Sequence, residues 1–169
     1  MGCLAMSPRT EFVLSSLLTA ALLSIAVVVL MDADRGMPGV AEFTAALRFA
    51  PSALLAVGLG AWFVTRWQAR AQRAGQRWKA GGMTLRLLLV VLLLFPLSLS
   101  AWAVTAIAID SLAASHPGGS DEALAWLPVL VFYGSLLATV FGAAPLFAIE
   151  YFACRRYLRR RAALSPDHA

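Results

Sequence analysis

Charged side chains are scarce in this chain. Asp, Glu, Lys and Arg make up 14% of its 169 residues, whereas soluble proteins usually carry about 25%. Hydrophobic residues make up 60% of the chain, and this balance excludes an ordinary water-soluble globule. The length fits one folded domain. The sequence therefore predicts a single integral membrane domain over residues 1–169.

Groups that carry out catalysis or hold cofactors are also missing. The two cysteines, Cys3 and Cys154, are too few for a disulfide framework. Both histidines, His116 and His168, lie outside the long apolar runs, so a b-type haem would lack axial ligands between helices. No phosphate-binding glycine loop, zinc-binding helix motif or nucleophile elbow is present. We therefore predict a protein that is not an enzyme, with no cofactor and no metal.

Four long apolar runs make up most of what is present. A bilayer core about 30 Å thick needs about 20 helical residues, and backbone groups inside it must bond to one another, which favours helices. The sequence predicts an all-α bundle of four transmembrane helices over 12–31, 45–66, 86–110 and 125–152. The two halves also resemble each other in outline. Either they are two similar helical hairpins, or the similarity is chance among Leu-, Ala- and Gly-rich helices.

The segments between the runs alternate in charge. The middle segment 66–86 and the tail 155–169 hold nearly all the arginines, whereas the other two loops are acidic. Cytoplasmic loops of membrane proteins carry an excess of Lys and Arg, so we predict cytoplasmic termini and a bacterial-type inner membrane. Only Arg35 and Arg48 then lie outside the cytoplasm. The net charge of +5 follows from the same rule, and without a base-reading motif it does not indicate nucleic acid. Translation could start at Met1 or at Met6.

A few ionisable residues fall within or beside the predicted spans, where a lone charge is costly. Arg48 is expected at the outer end of span two, level with Asp32 and Asp110. Glu150 is expected near the inner end of span four, within reach of Arg66 or Arg86. We interpret these residues as intramembrane ion pairs; an outer cation site, or a coupling carboxylate at Glu150, is the alternative. No ionisable residue is predicted at a span's midplane, which argues against a proton-coupled pump.

The middle segment has the most regular polar pattern. Its arginines recur at intervals of four, three and four residues, which places them on one stripe of a helix. We predict that span two continues as a basic helix and ends near Gly81-Gly82. Each such charge contributes about 1 kcal/mol of attraction to an anionic inner leaflet, so the segment is either a topology anchor or a docking surface. The predicted lipid or partner surface comprises Arg66, Trp67, Arg70, Arg73, Arg77 and Trp78.

Small residues recur at close intervals in spans two and four. Such spacing lets helices approach each other within one chain or between copies. We predict that these two spans contact each other through Gly58, Gly60, Gly134, Ala138 and Gly142.

The polar and charged segments are typical of a protein that binds a partner rather than of an enzyme. We expect an accessory subunit whose partner is a membrane or cytoplasmic protein, or a second copy of the chain. In size and helix count alone, the chain resembles the four-helix membrane immunity proteins that protect cells from pore-forming bacteriocins. That resemblance implies a protein partner in the membrane. The alternative is a small transporter or channel subunit that uses kinks at Pro96 and Pro145, with Arg48 and Glu150 along its path.

Overall fold

The computed structural model describes residues 6–31, 39–113 and 120–163, and nearly all of them are helical. No strand occurs in this part of the chain, so the predicted all-α class is confirmed. A π-helical segment, Ala138–Gly142, joins the fourth helix to the fifth. The helices are α1 Pro8–Met31, α2 Val40–Arg73, α3 Ala80–Ala113, α4 Ser120–Leu137 and α5 Ala143–Ala163.

Three helical segments are long and apolar enough to cross a membrane. They are Pro8–Val27, Ala80–Leu112 and Leu124–Ala163, the last of which runs through α4, the π-helical segment and α5. These segments support a multi-pass membrane protein. Within the described residues α2 is not a fourth such segment. The predicted span 45–66 lies inside α2, and its crossing of the membrane stays a prediction.

Local sequence explains where α1 begins and α2 ends. Ser7 precedes Pro8, the first residue of α1, and its Oγ accepts a hydrogen bond from the Thr10 N–H at 3.2 Å. Serine at this capping position and proline at the first helical position are both favoured. At the end of α2, Gly75 adopts a φ of 75°, a conformation that costs glycine little.

The turn after α2 satisfies the last carbonyls of the helix. The Gly75 N–H donates to the Gln72 carbonyl at 3.0 Å, and the Gln76 N–H donates to the Ala71 carbonyl at 2.9 Å. This pair of bonds is the Schellman arrangement. The basic helix therefore ends at Arg73 rather than near Gly81-Gly82, which instead lie in the first turn of α3.

The helices pack as a bundle in which α1 and α3 each contact both α2 and α5. The fourth helix, α4, packs against α3, whereas α1 packs against α5 and touches the π-helical segment. Buried side chains lie mostly in the half of the bundle near the α2–α3 turn, and none of the α4 side chains that the structure describes is buried. The described apolar core comprises Phe12, Ala20, Ala56, Val57, Ala61, Val64, Met83, Leu87, Val91, Cys154 and Tyr157.

The π-helical segment interrupts the last long helix just before Pro145. Proline has no N–H to donate to the carbonyl four residues earlier, and its ring crowds that carbonyl. A π-helical turn absorbs this mismatch by adding a residue to the turn. Because α2 has no such interruption, the two predicted hairpins differ in their second helix.

Candidate functional site

Arginine side chains from four helices collect at one end of the bundle. Arg156 and Arg160 of α5 both bind Glu11 in the first turn of α1, with Arg156 Nη2 2.8 Å from Glu11 Oε1. The Arg9 guanidinium of α1 lies 5.9 Å from the centre of the Trp62 ring of α2. We call this region the basic end. Its described basic residues are Arg9, Arg66, Arg70, Arg73, Arg77, Lys79, Arg86, Arg155, Arg156, Arg159, Arg160 and Arg161.

Several of these guanidinium groups lie over tryptophan rings. The Arg86 guanidinium lies 4.1 Å from the ring centre of Trp78 and 5.6 Å from that of Trp67. The two rings meet edge to face with their centres 5.6 Å apart. A cation over an aromatic face contributes about 0.5–1 kcal/mol at an exposed site, so this cluster stabilises the junction of α2 and α3. Within the predicted lipid or partner surface, Trp78 is half-buried, and the exposed members are Arg66, Trp67, Arg70, Arg73 and Arg77.

A buried polar network joins α2 to α5 at the same end. Gln68 is fully buried, and its Oε1 accepts hydrogen bonds from Arg161 Nη1 at 2.5 Å and from the Tyr157 hydroxyl at 3.4 Å. Arg161 Nη1 also donates to the Tyr157 hydroxyl at 2.8 Å. Buried polar groups need such partners, so the network fixes how α5 lies against α2. This contact between α2 and α5 lies beyond the predicted spans 45–66 and 125–152, so it is not the predicted contact between spans two and four.

The most unusual group is a carboxyl in the interior. Glu150 of α5 is only 1% exposed, and its Oε2 accepts a hydrogen bond from the Ser16 hydroxyl of α1 at 2.9 Å. Its Oε1 has no hydrogen-bond partner within the described residues. The cleft beside the carboxyl is too narrow for a water molecule and is lined by apolar side chains and Thr84. Burying a carboxyl with one unbonded oxygen is costly, which marks the position as a candidate site.

The predicted ion pairs at the inner end do not form. The Arg86 guanidinium lies against Trp67 and Trp78, and that of Arg66 lies 5.1 Å from the Trp62 ring centre. Glu150 is hydrogen-bonded to a serine instead. Both arginines lie against an aromatic face and do not enter the interior of the bundle, where a charge would be costly.

The predicted outer ion pairs are only partly described. Asp110 is exposed in the last turns of α3. Asp32 and the side chain of Arg48 lie outside the described residues, so their pairing stays a prediction.

A large apolar cavity lies further from the basic end than Glu150 does. It has a volume of about 460 Å³ and is partly open to the bundle surface. Its walls include α1, α2, α3 and α4 together with the π-helical segment, and most of its lining is apolar. Three side chains, Val57, Val91 and Leu146, line both this cavity and the cleft beside Glu150. A single apolar layer therefore separates the cavity from the buried carboxyl.

The glycines that were predicted to join spans two and four lie close to other helices instead. A Cβ atom placed on Gly60 of α2 would lie 2.8 Å from Val91 of α3, and one on Gly58 would lie 3.2 Å from Leu17 of α1. A Cβ atom on Gly134 of α4 would lie 2.9 Å from Leu99 of α3. The structure thus brings these glycines close to α1 and α3 rather than to one another. The remaining two small residues, Ala138 and Gly142, line the cavity.

Two features of the site were not anticipated from sequence. Ser16 was not singled out as a partner of Glu150, although a hydroxyl within an apolar span is itself a signal of a polar contact. Apart from the small residues and Pro145, no feature of the sequence indicated the cavity. Both features depend on how the helices are rotated about their axes, and runs of nearly uniform hydrophobicity carry little information about rotation.

Among the described residues, no three His, Cys, Asp or Glu side chains come together in a way that could hold a metal ion. No protein family matches the sequence, and no curated protein or solved structure is significantly similar to it.

Proposed function

We propose that the chain crosses a bacterial-type inner membrane four times, with both termini and the α2–α3 turn in the cytoplasm. The support comes from charge: the basic end gathers arginines from four helices, and cytoplasmic segments carry such excess. The described acidic residues at the opposite end are Asp110 and Glu122. In this orientation the tryptophans of the basic end lie at the level of the inner headgroups, where such rings are enriched.

We further propose that the protein is not catalytic and acts as an accessory subunit that binds a partner through the basic end. The observation that carries this proposal is the exposed row Arg70, Arg73 and Arg77, for which the structure gives no carboxylate partner within its described residues. Unpaired guanidinium groups attract acidic protein surfaces and steer association. The anionic inner leaflet would hold the same surface at the membrane.

Crosslinking in living cells tests this role. A photoreactive amino acid at Gln76, exposed between Arg73 and Arg77, should give a protein adduct of discrete mass. The same group at Leu93, a 73% exposed residue of the apolar surface of α3, is the matched control and should give none.

Substitution of the arginine row makes the same test quantitative. The combined change Arg70→Gln, Arg73→Gln and Arg77→Gln should abolish the Gln76 adduct, whereas the corresponding lysine variant should keep it because the charge is retained. Adducts with lipid alone, or a protein adduct indifferent to the charge, would contradict the accessory role.

An immunity-type protein is one form that this role can take. Its partner would be a pore-forming toxin within the membrane, so cells that lack the chain should become sensitive to that toxin. A second copy of the chain is the other candidate partner. Crosslinked adducts of twice the chain mass would identify it.

Glu150 favours a second candidate, a small transporter or channel subunit. A buried carboxyl next to a cavity is the kind of group that membrane proteins place along ion or substrate pathways. Flux through vesicles containing the purified protein, lost on Glu150→Gln, would support transport over partner binding. Vesicles without flux would leave the accessory role as the better explanation.

A further inference from the structure

The cavity and the buried carboxyl together have the composition of a binding site. The cavity volume of about 460 Å³ falls within the range of about 300–1,000 Å³ that is usual for small-molecule sites. Such sites combine an apolar wall with a few polar groups that fix the ligand's orientation. Here the helices around the cavity supply the wall, and the polar group is Glu150, which lies behind Val57, Val91 and Leu146 rather than on the cavity lining.

Water is a poor occupant of this cavity, because a buried water needs two to four polar partners and most of the cavity lining is apolar. One polar group on the wall is already engaged, since the Ser24 hydroxyl donates to the Ala20 carbonyl at 2.8 Å.

Charge complementarity then defines the ligand. Glu150 Oε1 has no hydrogen-bond partner among the described residues, although the side chain is only 1% exposed. Hydrogen bonds to a charged group contribute more than those between neutral groups. A cationic or hydrogen-donating head would supply that missing bond, and an apolar body would fill the cavity. The aromatic rings of Phe95 and Tyr133, which line the cavity, would also attract a cation.

We propose that the cavity binds an apolar organic amine, with its ammonium group bonded to Glu150. The head reaches the carboxyl through the layer formed by Val57, Val91 and Leu146. Val57 and Val91 are buried, but Leu146 is half-buried, and leucine can change rotamer where β-branched valine is stiff. Displacement of the Leu146 side chain therefore joins the cavity to the cleft.

Binding to the purified, full-length protein in lipid nanodiscs tests the proposal. The probe is adamantylamine, an apolar cage with one primary amine, and adamantanol is its uncharged counterpart. We expect saturable, one-to-one binding of the amine above its partitioning into empty nanodiscs. Loss of the charge-assisted bond should weaken affinity about tenfold or more, both for adamantanol on the natural protein and for the amine on Glu150→Gln. Leu146→Ala should tighten binding of the amine.

A second pair of variants tests the cavity without touching the carboxyl. A side chain at Gly142 projects into open space at the cavity wall, so Gly142→Phe should fill the site and abolish saturable binding. Val140→Phe is the matched control, because Val140 is 62% exposed and lies outside the cavity lining. Neither measurement needs a partner at the basic end, so the outcome is independent of the accessory role.

Three results would overturn the proposal. They are the absence of saturable binding to the natural protein, unchanged affinity in a helical Glu150→Gln variant, and unchanged affinity in Gly142→Phe. If Glu150→Gln loses its helical content, the pair of phenylalanine variants decides the question.

Discussion

The energetic significance of Glu150 depends on a single hydroxyl. The Ser16 hydroxyl bonds to one carboxyl oxygen at 2.9 Å, while the other oxygen has no described partner. The side chain also fills space against the apolar residues Val57, Leu87 and Leu146. The residue thus contributes an acceptor and a volume to the packing of α5, and these two contributions can be separated by substitution.

We predict that Glu150→Gln and Glu150→Ala differ in stability. Glutamine keeps the volume and an acceptor for Ser16, so the free energy of unfolding should change by less than about 1 kcal/mol. Alanine removes both, leaving a cavity and an unsatisfied hydroxyl, so it should lower that free energy by about 2–3 kcal/mol. Denaturant unfolding in mixed micelles measures both values.

An equal loss of stability in the glutamine and alanine variants would contradict this prediction. If glutamine were as damaging as alanine, the charge itself would be holding the helices together, as the ion pair predicted from sequence requires. The geometry described here gives no such role to the charge.

The sequence predicted the wrong partners for Arg86 and Glu150. Depth in a membrane follows from position along an apolar run, which can be read residue by residue. The partner of a side chain depends instead on the rotation of its helix. For Arg86 the competing partner was a pair of tryptophans, Trp67 and Trp78, brought together by the tight turn after α2.

The sequence predicted the continuation of α2 beyond the span but not the residue at which the helix ends. The arginine stripe correctly predicted that span two continues as a helix, and three of its members, Arg66, Arg70 and Arg73, lie on α2. The predicted end of this helix, near Gly81-Gly82, was wrong. Gly75 ends the helix instead, because its N–H reaches the Gln72 carbonyl, so Arg77 falls beyond the helix.

Close packing between α2 and α3 leads to a second prediction. A Cβ atom on Gly60 would meet Val91 at 2.8 Å, and buried valine has little freedom to move away. Gly60→Ala should therefore lower the free energy of unfolding by about 1–2 kcal/mol.

Gly142→Ala is the matched control for this packing prediction. It places the same methyl group in open space and should be neutral or stabilise the protein by up to about 1 kcal/mol, since alanine favours helix more than glycine does. Denaturant unfolding measures both variants under the same conditions. Equal effects at the two positions would contradict close approach of α2 and α3.

At the scale of the whole molecule, hydropathy predicted the all-helical class. The apolar runs also predicted the three segments that are long and apolar enough to cross a membrane, with four of their six ends placed within four residues, because transfer of side chains into lipid is roughly additive along the chain. The arrangement of helices was not predicted. Gly58 and Gly60 of span two pack against α1 and α3, and Gly134 of span four packs against α3, whereas the small-residue pattern predicted that these glycines meet one another.

The proposed orientation gives a prediction for the whole chain. Alkaline phosphatase, which is active only outside the cytoplasm, should be inactive when fused after Gln76 or Ala169 and active when fused after His116. A cytoplasmic fluorescent reporter at the same three positions should give the reverse pattern and serves as the control. Phosphatase activity at Ala169 would show that the C-terminus is not cytoplasmic and would therefore contradict four crossings in the proposed orientation.

The uneven distribution of empty space has a mechanical consequence. Most buried side chains lie in the half of the bundle that carries the arginines, whereas the part that holds α4 surrounds a cavity of about 460 Å³. Densely packed protein resists compression, and voids yield to it. Lateral pressure from the lipids should therefore squeeze one leaflet's portion of the bundle much more readily than the other's, so that a change in bilayer curvature or tension would alter the cross-section of this protein on one side only.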